Sequence, residues 1–401
     1  MTSRQRVAAA FEHREPDRTP FFEKLIKSPI ADLILGRPSV QHNLVHRMRV
    51  MEAGDWNELV EAEAVETADM VERLGMDLVR LRVNIGPDFE RPKEIGEFTW
   101  REGEAIVRFM PGSPWVERRP IHDTQPSERE QEQALMRTLE GELEQSVAPH
   151  DDRFYVSRRA RQIMRERGLD PAIFVSVYAM PVCTLPPYVF TWFHDRPELV
   201  HRYYHMHSQR ALTLIRRHAE FGADIIGLGG DLACDAGPLI SPAHYRQFVL
   251  PHLRAQVELC HTLGVWCTNA SDGNLWPLLD LFLVESGVDG FEEIDAAAGM
   301  DLRRLKQEYG ARRTFIGNMD IRWLMTSASP QEVARATIEC IEAGRGDGGH
   351  VLMSSNCIHE GVRPANFEAM VRAYRRHFGI NDAPAPLAVR HLDLPGYVIP
   401  S

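Results

Sequence analysis

The sequence predicts an α/β protein, a (β/α)8 TIM barrel with an insertion after the second strand. Two observations favour this fold. Eight short apolar runs recur along the 401 residues, each followed by an amphipathic stretch, which is the pattern of parallel strands joined by helices. From the third run onward the spacing is about 25 to 50 residues, enough for a strand, a helix and two loops in each unit.

The predicted helices between these strands carry ordinary boundary signals. Ser241-Pro242 opens one helix, Gly264 follows another, and Ser329-Pro330 opens a third with a proline near its first turn. Eight such units close a barrel. The predicted strands are Thr19 to Phe22, Asp77 to Leu81, Ile173 to Val177, Asp224 to Leu228, Val265 to Thr268, Gly290 to Ile294, Thr314 to Ile316 and Val351 to Ser354.

The N-terminal third departs from this alternation. Phe98 to Trp100 and Ala105 to Phe109 predict a hairpin, and residues 126 to 150 are rich in Glu and Gln with helical propensity. We interpret residues 84–165 as an insertion of a hairpin and helices that covers the barrel mouth, within a single barrel domain spanning residues 1–401. A separate small domain is the alternative. Residues 382–401 are proline-rich and predict an extended C-terminal tail.

Composition and charge restrict the functional class. A formal net charge of -11 disfavours nucleic acid and anionic membrane surfaces as partners. No run approaches the roughly 20 apolar residues of a membrane helix, and the apolar stretch near the start is too short for a signal peptide. The six cysteines form no CxxC pair, so reduced thiols are expected. We therefore expect a cytoplasmic enzyme, and a homodimer is compatible with the sequence.

Polar residues follow the predicted strands, where barrel enzymes carry their chemistry. Carboxylates, amides, a thiol and an imidazole that converge in this way indicate a pocket, although Asp272 and Asp320 could instead cap helices. We predict that Asp231, Asp272, Glu293 and Cys357 meet around one cavity. From the third strand to the eighth, the polar positions are Tyr178, Asp231, Asn269, Ser271, Asp272, Glu292, Glu293, Asn318, Asp320, Asn356, Cys357 and His359.

Each candidate is assigned a role from its chemistry. A loop thiolate at Cys357 is a natural zinc ligand, with Asp272 and Glu293 as further ligands and His359 as another candidate. A buried structural cysteine is the alternative. The predicted acid–base groups are Asp231, Asp272, Glu293 and His359. The predicted substrate contacts are Tyr178, Trp192, Asn269, Asn318 and Asn356.

Several segments together resemble the uroporphyrinogen decarboxylase-like superfamily, most densely between residues 174 and 378. The haem-pathway decarboxylase of that superfamily holds its tetrapyrrole carboxylates with an arginine-rich N-terminal segment, which Phe21 to Leu25 lacks. The corrinoid-dependent methyltransferase branch is more similar to this chain. The segments are Thr2 to Val7, His13 to Pro20, Gly229 to Ala233, Gly237 to Pro242, Ser271 to Asn274, Gly317 to Asp320 and Ser354 to Asn356.

The methyltransferase branch binds zinc through a His-x-Cys pair after the fifth strand and a cysteine after the eighth. Cys357 matches the last position, whereas Ala270 and Asp272 stand at the positions of the pair. The resemblance thus leaves open either a different metal arrangement that includes Asp272 or a metal-free site.

The resemblance implies transfer of a methyl group from a small donor, of methyl ether or methylamine type, to a corrinoid on a separate carrier protein. Two other functions stay open at this point. One is a metal-independent decarboxylase or lyase that acts on a small organic acid through the same carboxylates. The other is a non-catalytic barrel that binds a ligand.

Overall fold

The computed structural model describes residues 1–110, 116–121, 126–141, 148–180 and 182–381, together with Leu387, Leu392, Leu394, Pro395 and Tyr397. Thirteen strands lie within these residues. They are β1 (Leu78–Arg80), β2 (Lys93–Gly96), β3 (Thr99–Glu102), β4 (Ala105–Phe109), β5 (Val116–Pro120), β6 (Ala172–Ser176), β7 (Ile225–Gly229), β8 (Ala233–Cys234), β9 (Gly237–Pro238), β10 (Trp266–Ala270), β11 (Gly290–Glu292), β12 (Thr314–Ile316) and β13 (His350–Val351).

The helices of the described residues alternate with the strands of the main sheet. They are α1 (Ser3–Phe11), α2 (Ile30–Leu35), α3 (Leu44–Ala53), α4 (Trp56–Leu74), α5 (Glu128–Glu140), α6 (Tyr155–Glu166), α7 (Pro187–Asp195), α8 (Pro197–Glu220), α9 (Pro242–His244), α10 (Leu250–Thr262), α11 (Leu302–Tyr309), α12 (Leu324–Ser327), α13 (Pro330–Gly344) and α14 (Pro364–His377). Shorter turns of 3-10 or π type occur at Asp151–Phe154, Tyr245–Val249, Trp276–Leu278, Asp280–Glu285 and Ala296–Ala298.

Seven parallel strands form a curved sheet in the order β1-β6-β7-β10-β11-β12-β13. The predicted first strand closes the ring between the two edge strands. Phe22 N donates to Leu352 O over 3.0 Å beside β13, and Asp77 N donates to Phe21 O over 2.8 Å just before β1. Eight chain segments therefore encircle the interior, and the predicted (β/α)8 fold is confirmed.

Side chains along these strands alternate between two apolar layers. Phe22, Leu78 and Phe174 fill the inside of the ring, whereas Val79 and Ile173 pack outward against the helices. Because side chains alternate along a strand, the same pattern determines which of the following residues point into the ring. Two positions beyond Phe22 and Leu78, at the carboxyl ends of their strands, the inward-facing residues are Lys24 and Arg80.

The N-terminal helix α1 covers the opposite end of the ring. Val7 and Phe11 are buried with the inner apolar layer, and the Phe11 ring lies 5.2 Å from that of Trp266 at the start of β10. Ala10 O accepts a hydrogen bond from Gly349 N over 2.8 Å, just before β13. The amino ends of the strands are thus sealed, and the carboxyl ends form the mouth.

The segment between β1 and α6 contains a four-stranded antiparallel sheet in the order β2-β3-β4-β5. The predicted hairpin corresponds to β3 and β4, in which Trp100 pairs with Val107. One face of this sheet is apolar. Trp100 and Val107 on that face pack against Val45 and Met48 of α3. That the whole 84–165 insertion covers the mouth stays a prediction, since residues 111–115, 122–125 and 142–147 lie outside the described ones.

Most of the predicted C-terminal tail, residues 382–401, also lies outside the described part of the chain. Of its described residues, Tyr397 contacts the Phe109 ring, and its hydroxyl accepts a hydrogen bond from Leu44 N over 2.9 Å. Within the described ranges, no helix has both the length and the apolar character that a membrane crossing requires.

Candidate active site at the barrel mouth

A buried lysine organises the centre of the mouth. The Lys24 side chain is only 4% exposed, and its ammonium donates to Tyr178 Oη over 2.5 Å, to Glu292 Oε2 over 3.1 Å and to the Glu293 carboxylate. Glu292 is fully buried, and Thr268 Oγ1 donates to its other oxygen over 2.9 Å. The eight chain segments that encircle the interior are numbered in chain order as ring positions. One cation therefore joins groups from the first, third and sixth positions of the ring.

The close packing of this cluster depends on a glycine. Any side chain at Gly227 would collide with the Glu292 carboxylate and the Phe174 ring. The glycine thus leaves the space that Glu292 occupies, and the carboxylate is held on several sides.

The charges within the cluster compensate one another. Burial alone lowers the pKa of Lys24, but the nearby Glu292, Tyr178 and Glu293 outweigh burial and raise its pKa above the ordinary value. Burial raises the pKa of Glu292, and the Lys24 charge opposes that effect. Lys24 therefore stays protonated, and its position is fixed by two carboxylates.

Asp272 lies beside this cluster as a carboxyl group with an unusual pKa. Burial, followed by the negative charge of Glu293, raises the pKa of Asp272 to about 7, although Asn356 Nδ2 donates to its Oδ2 over 2.7 Å. Burial and Glu293 also raise the pKa of Asp231, whose Oδ1 accepts from Asp272 N over 3.3 Å. A carboxyl group that holds its proton near neutral pH can act as a general acid.

Asn356 and Cys357 bring the eighth position of the ring to the same place. Cys357 is half-buried, and burial raises the pKa of its thiol, as do the more distant charges of Glu293 and Asp272. Glu293 itself has a φ of 61°, a backbone conformation that is uncommon outside glycine and recurs at functional sites. Asp231, Asp272, Glu293, Asn356, Cys357 and Tyr178 thus lie together at the mouth.

Three other residues that were predicted to contact the substrate form hydrogen bonds within the protein. Trp192 is 1% exposed, and its Nε1 donates to Glu132 Oε1 over 3.0 Å. Asn269 is fully buried and donates to Phe282 O over 3.1 Å, while Asn318 donates to Met300 O over 3.0 Å. These three side chains turn toward the helix layer, and their contact with a substrate stays a prediction.

His359 also stays within its own loop. Its Nδ1 accepts a hydrogen bond from Gly361 N over 3.0 Å. Burial lowers the pKa of His359, so that its imidazole is predominantly neutral at neutral pH. The described contacts do not join this ring to Asp231 or Asp272, with which it was predicted to share acid–base chemistry.

The residues at the mouth do not fit the zinc arrangement implied by the resemblance. Asp272 is bonded to Asn356 and Glu293 to Lys24, and their oxygens do not lie within 4.8 Å of one another and of the Cys357 sulfur as a ligand set. The alanine at position 270 is buried and offers no ligand atom. The predicted ligand set of Cys357, Asp272 and Glu293 is thus not assembled.

Within the described residues, three groups that could hold a metal do converge elsewhere. His261, Cys267 and Asp289 have one ligand atom each within 4.8 Å of the others. They lie near the amino ends of β10 and β11, away from the mouth. His261 Nε2 is 3.1 Å from Asp289 Oδ2, and the same oxygen accepts from Cys267 N over 2.8 Å. The arrangement also forms an ordinary ion pair at a strand start.

Sequence reasoning missed the contribution of the first two ring positions. Glu23 is buried, its carboxylate accepts from Ser354 N over 3.1 Å and from Ser354 Oγ over 2.6 Å, and burial raises its pKa to about 8. Lys24, Arg80 and Arg82 complete this side of the mouth. The signal was available, because Glu23-Lys24 directly follows the predicted first strand as the acidic residues follow later ones.

Comparisons with known proteins agree with this architecture. Residues 184–377 match the family described as uroporphyrinogen decarboxylase (URO-D). A methylated-thiol–coenzyme M methyltransferase of Methanosarcina mazei is 28% identical over 185 residues, which cover 45% of this chain and 46% of that protein. The matched part therefore spans about half the length of the curated relative.

A solved structure of a methyltransferase from Methanosarcina mazei has the same fold. It superposes with a TM-score of 0.59 at 18% identity and covers 94% of this chain and 99% of that chain. These findings confirm the predicted resemblance to the uroporphyrinogen decarboxylase-like superfamily and its methyltransferase branch.

Proposed function

We propose that this chain is a methyltransferase that moves a methyl group from a small donor, of methyl ether or methylamine type, to a corrinoid on a separate carrier protein. The similarity to a methyltransferase over 45% of the chain supports this reaction class. The observation that carries the proposal is the placement of Asp272, a carboxyl group at the mouth that is oriented by Asn356 Nδ2 over 2.7 Å and whose pKa burial and Glu293 raise to about 7. Methyl transfer from an ether or amine requires a poor leaving group to take up a proton as it departs.

The proposed step is a displacement at the methyl carbon. The electron pair of the reduced cobalt forms the new bond to carbon, while the pair of the carbon–heteroatom bond leaves with the heteroatom. The Asp272 carboxyl group transfers its proton to that heteroatom and becomes a carboxylate. Since Asp272 is partly exposed, solvent can return the proton before the next cycle.

The neighbouring residues prepare Asp272 for this role. Burial and then the charge of Glu293 raise its pKa, and Asn356 orients the carboxyl group through the 2.7 Å hydrogen bond. Lys24 holds Glu293 in place. Tyr178, which is 36% exposed, offers an aromatic face to a small donor. No zinc enters this proposal, because the donor groups at the mouth do not form a zinc site.

The test is methylation of free reduced cobalamin by the purified protein. Methyl ethers and methylamines are supplied one at a time, and methylcobalamin is measured by its absorbance. We expect product with at least one donor, and a large loss in Asp272→Asn. Asp301→Asn is the matched control, because Asp301 is an exposed N-cap of α11 and asparagine caps helices equally well. Folded protein that yields no product with any donor would contradict the proposal.

A further inference from the structure

A cavity of about 50 Å³ opens at the first two positions of the ring. Lys24, His42, Arg80 and Arg82 are among the polar residues that line it, and Met70 and Val79 are among the apolar ones. Lys24 also belongs to the cluster of Tyr178, Glu292 and Glu293. Lys24 is therefore shared between this cavity and the candidate active site.

The two arginines of this cavity have no counter-ion within the part of the chain that the structure describes. Among the described residues, neither guanidinium forms an ion pair or a hydrogen bond, and the buried Arg80 Nε and His42 Nδ1 have no hydrogen-bond partner. The nearby Glu63 is already occupied, since it pairs with Arg47 and accepts from Asn84 Nδ2 over 2.8 Å.

The remaining charged groups of the cavity do not compensate the arginines. Lys24 is balanced by Glu292 and Glu293. Burial raises the pKa of Glu23 to about 8, so this carboxyl group is largely uncharged at neutral pH. Burial lowers the pKa of His42 to about 3, so its imidazole is neutral as well. The cavity thus carries an excess positive charge that resides on Arg80 and Arg82.

Two partly buried guanidiniums without an anion are an unfavourable arrangement unless a ligand supplies the missing charge. The planar fork of arginine matches the oxygens of a carboxylate or a phosphate, and the carboxylate is the smaller of the two. The rest of the lining includes methionine and valine side chains, which suit a small organic body. The charge therefore favours an anion, and the cavity of about 50 Å³ has room for the carboxylate end of an organic acid whose remainder lies outside it.

We propose that Arg80 and Arg82 bind a carboxylate of the substrate, so that the methyl donor is a small organic acid. The identification of the acid as the methyl donor rests on the proposed methyl transfer. Binding of the acid in the cavity does not depend on which reaction follows. The carboxylate lies at the first two ring positions, and the methyl-bearing end reaches across Lys24 toward Asp272.

Calorimetric titration with matched pairs of ligands tests this site. The probes are methoxyacetate against methoxyacetamide and 4-methoxybenzoate against 4-methoxybenzamide, which differ in charge and little in shape. We expect at least one acid to bind about tenfold more tightly than its amide. Arg80→Gln and Arg82→Gln should each weaken the binding of that acid by roughly 10- to 100-fold and leave the amide unchanged. Arg216→Gln, an exposed arginine of α8, should bind like the wild type.

Folding is checked separately by circular dichroism and melting temperature. Removal of an unpaired cation should leave the melting temperature unchanged or raised, so the two variants are expected to fold. Equal binding of acid and amide by the wild type would overturn the proposal, as would inorganic phosphate that binds more tightly than both acids. An acid that binds equally well to Arg80→Gln, Arg82→Gln and the wild type would overturn it too.

These outcomes are separable from the fate of the proposed function. Acids that bind through the arginines without methylating reduced cobalamin would refute methyl transfer and keep the acid site, and release of CO2 from the bound acid would then identify a decarboxylase. Methylation from neutral and acidic donors with equal kcat/KM would refute the acid site and keep methyl transfer. In a methyltransferase that uses the site, Arg82→Gln should raise KM for the acid far more than it lowers kcat.

Discussion

The two sides of the barrel mouth differ in how their charges are satisfied. Asp231, Asp272 and Glu293, from the fourth to the sixth ring positions, are held by hydrogen bonds and by the Lys24 ammonium. Arg80 and Arg82 at the second position lack a partner among the described residues. The difference indicates that the acidic side is organised in the free protein, whereas the basic side awaits a ligand. A net charge of -11 therefore says little about the local charge of a site.

The largest effect is expected on the acidic side, from Asp272→Asn. Asparagine keeps the shape and can still accept from Asn356, but it cannot donate an acidic proton. We expect kcat for methyl transfer to fall by about 10²- to 10⁴-fold. Steady-state formation of methylcobalamin measures the change, with Asp301→Asn as the control. A loss of less than tenfold would remove Asp272 from the role of general acid.

The same residue predicts the pH profile. Asp272 must be protonated to act, and its pKa is about 7, so the active form predominates below pH 7. We expect kcat to decline roughly tenfold per unit as the pH rises above that value. The residual activity of Asp272→Asn should lack this limb. Retention of the limb in the variant would assign it to another group.

Lys24→Met tests the connection between the two sides. The substitution leaves Glu292 fully buried without its cation, for which we expect a loss of about 3 to 5 kcal/mol in the free energy of unfolding. Urea denaturation measures the loss. The double variant Lys24→Met with Glu292→Gln should recover part of it, because the fully buried Glu292 then carries no unpaired charge while the more exposed Glu293 still lacks its cation. A double variant as unstable as Lys24→Met would show that packing, not charge, causes the loss.

Glu23→Gln tests the buried acid between the two sides. Because burial raises the pKa of Glu23 to about 8, the folded protein holds a proton that the unfolded chain releases above its ordinary pKa near 4. The stability due to this group is therefore complete below about pH 4 and is lost as the pH rises toward 8, by up to about 1.4 kcal/mol per unit. Urea midpoints between pH 5 and pH 8 should decline less in Glu23→Gln. Parallel declines in the two proteins would contradict the assignment.

The smallest effect is expected from Asn318→Ala, outside both sides of the mouth. Its amide donates to Met300 O, so we expect a loss of about 1 kcal/mol in stability and no change in KM. Denaturation and steady-state kinetics on the same preparation measure both quantities. A raised KM would return Asn318 to the substrate contacts that the sequence predicts.

The barrel was predictable because each strand from Ile173 onward is a short apolar run before an amphipathic helix. Its closure was harder to infer, since the first strand forms a single bridge at Phe21 and depends on its two neighbours. The acidic residues of the mouth were found because carboxyl ends of parallel strands meet. Asn269 and Asn318 obey the same rule yet turn outward, because sequence position at a strand end does not determine which way a side chain points.

The basic side was missed for a different physical reason. Arg80 and Arg82 alternate with apolar residues in a pattern that also describes a strand with one solvated face. Only ring closure places the second strand beside Lys24, so that the same two side chains face the interior. Charge that looks exposed along a chain can therefore be enclosed by the topology.

The seal formed by α1 at the amino ends of the strands has a kinetic consequence. Among the described residues, α1 covers the amino ends of the strands, so small molecules would enter and leave through the mouth, the same opening that a carrier protein would approach. In the proposed methyl transfer, the donor would then load before the carrier arrives, and the demethylated product would wait for the carrier to depart. Turnover would follow a compulsory order, with substrate inhibition by excess carrier as its signature.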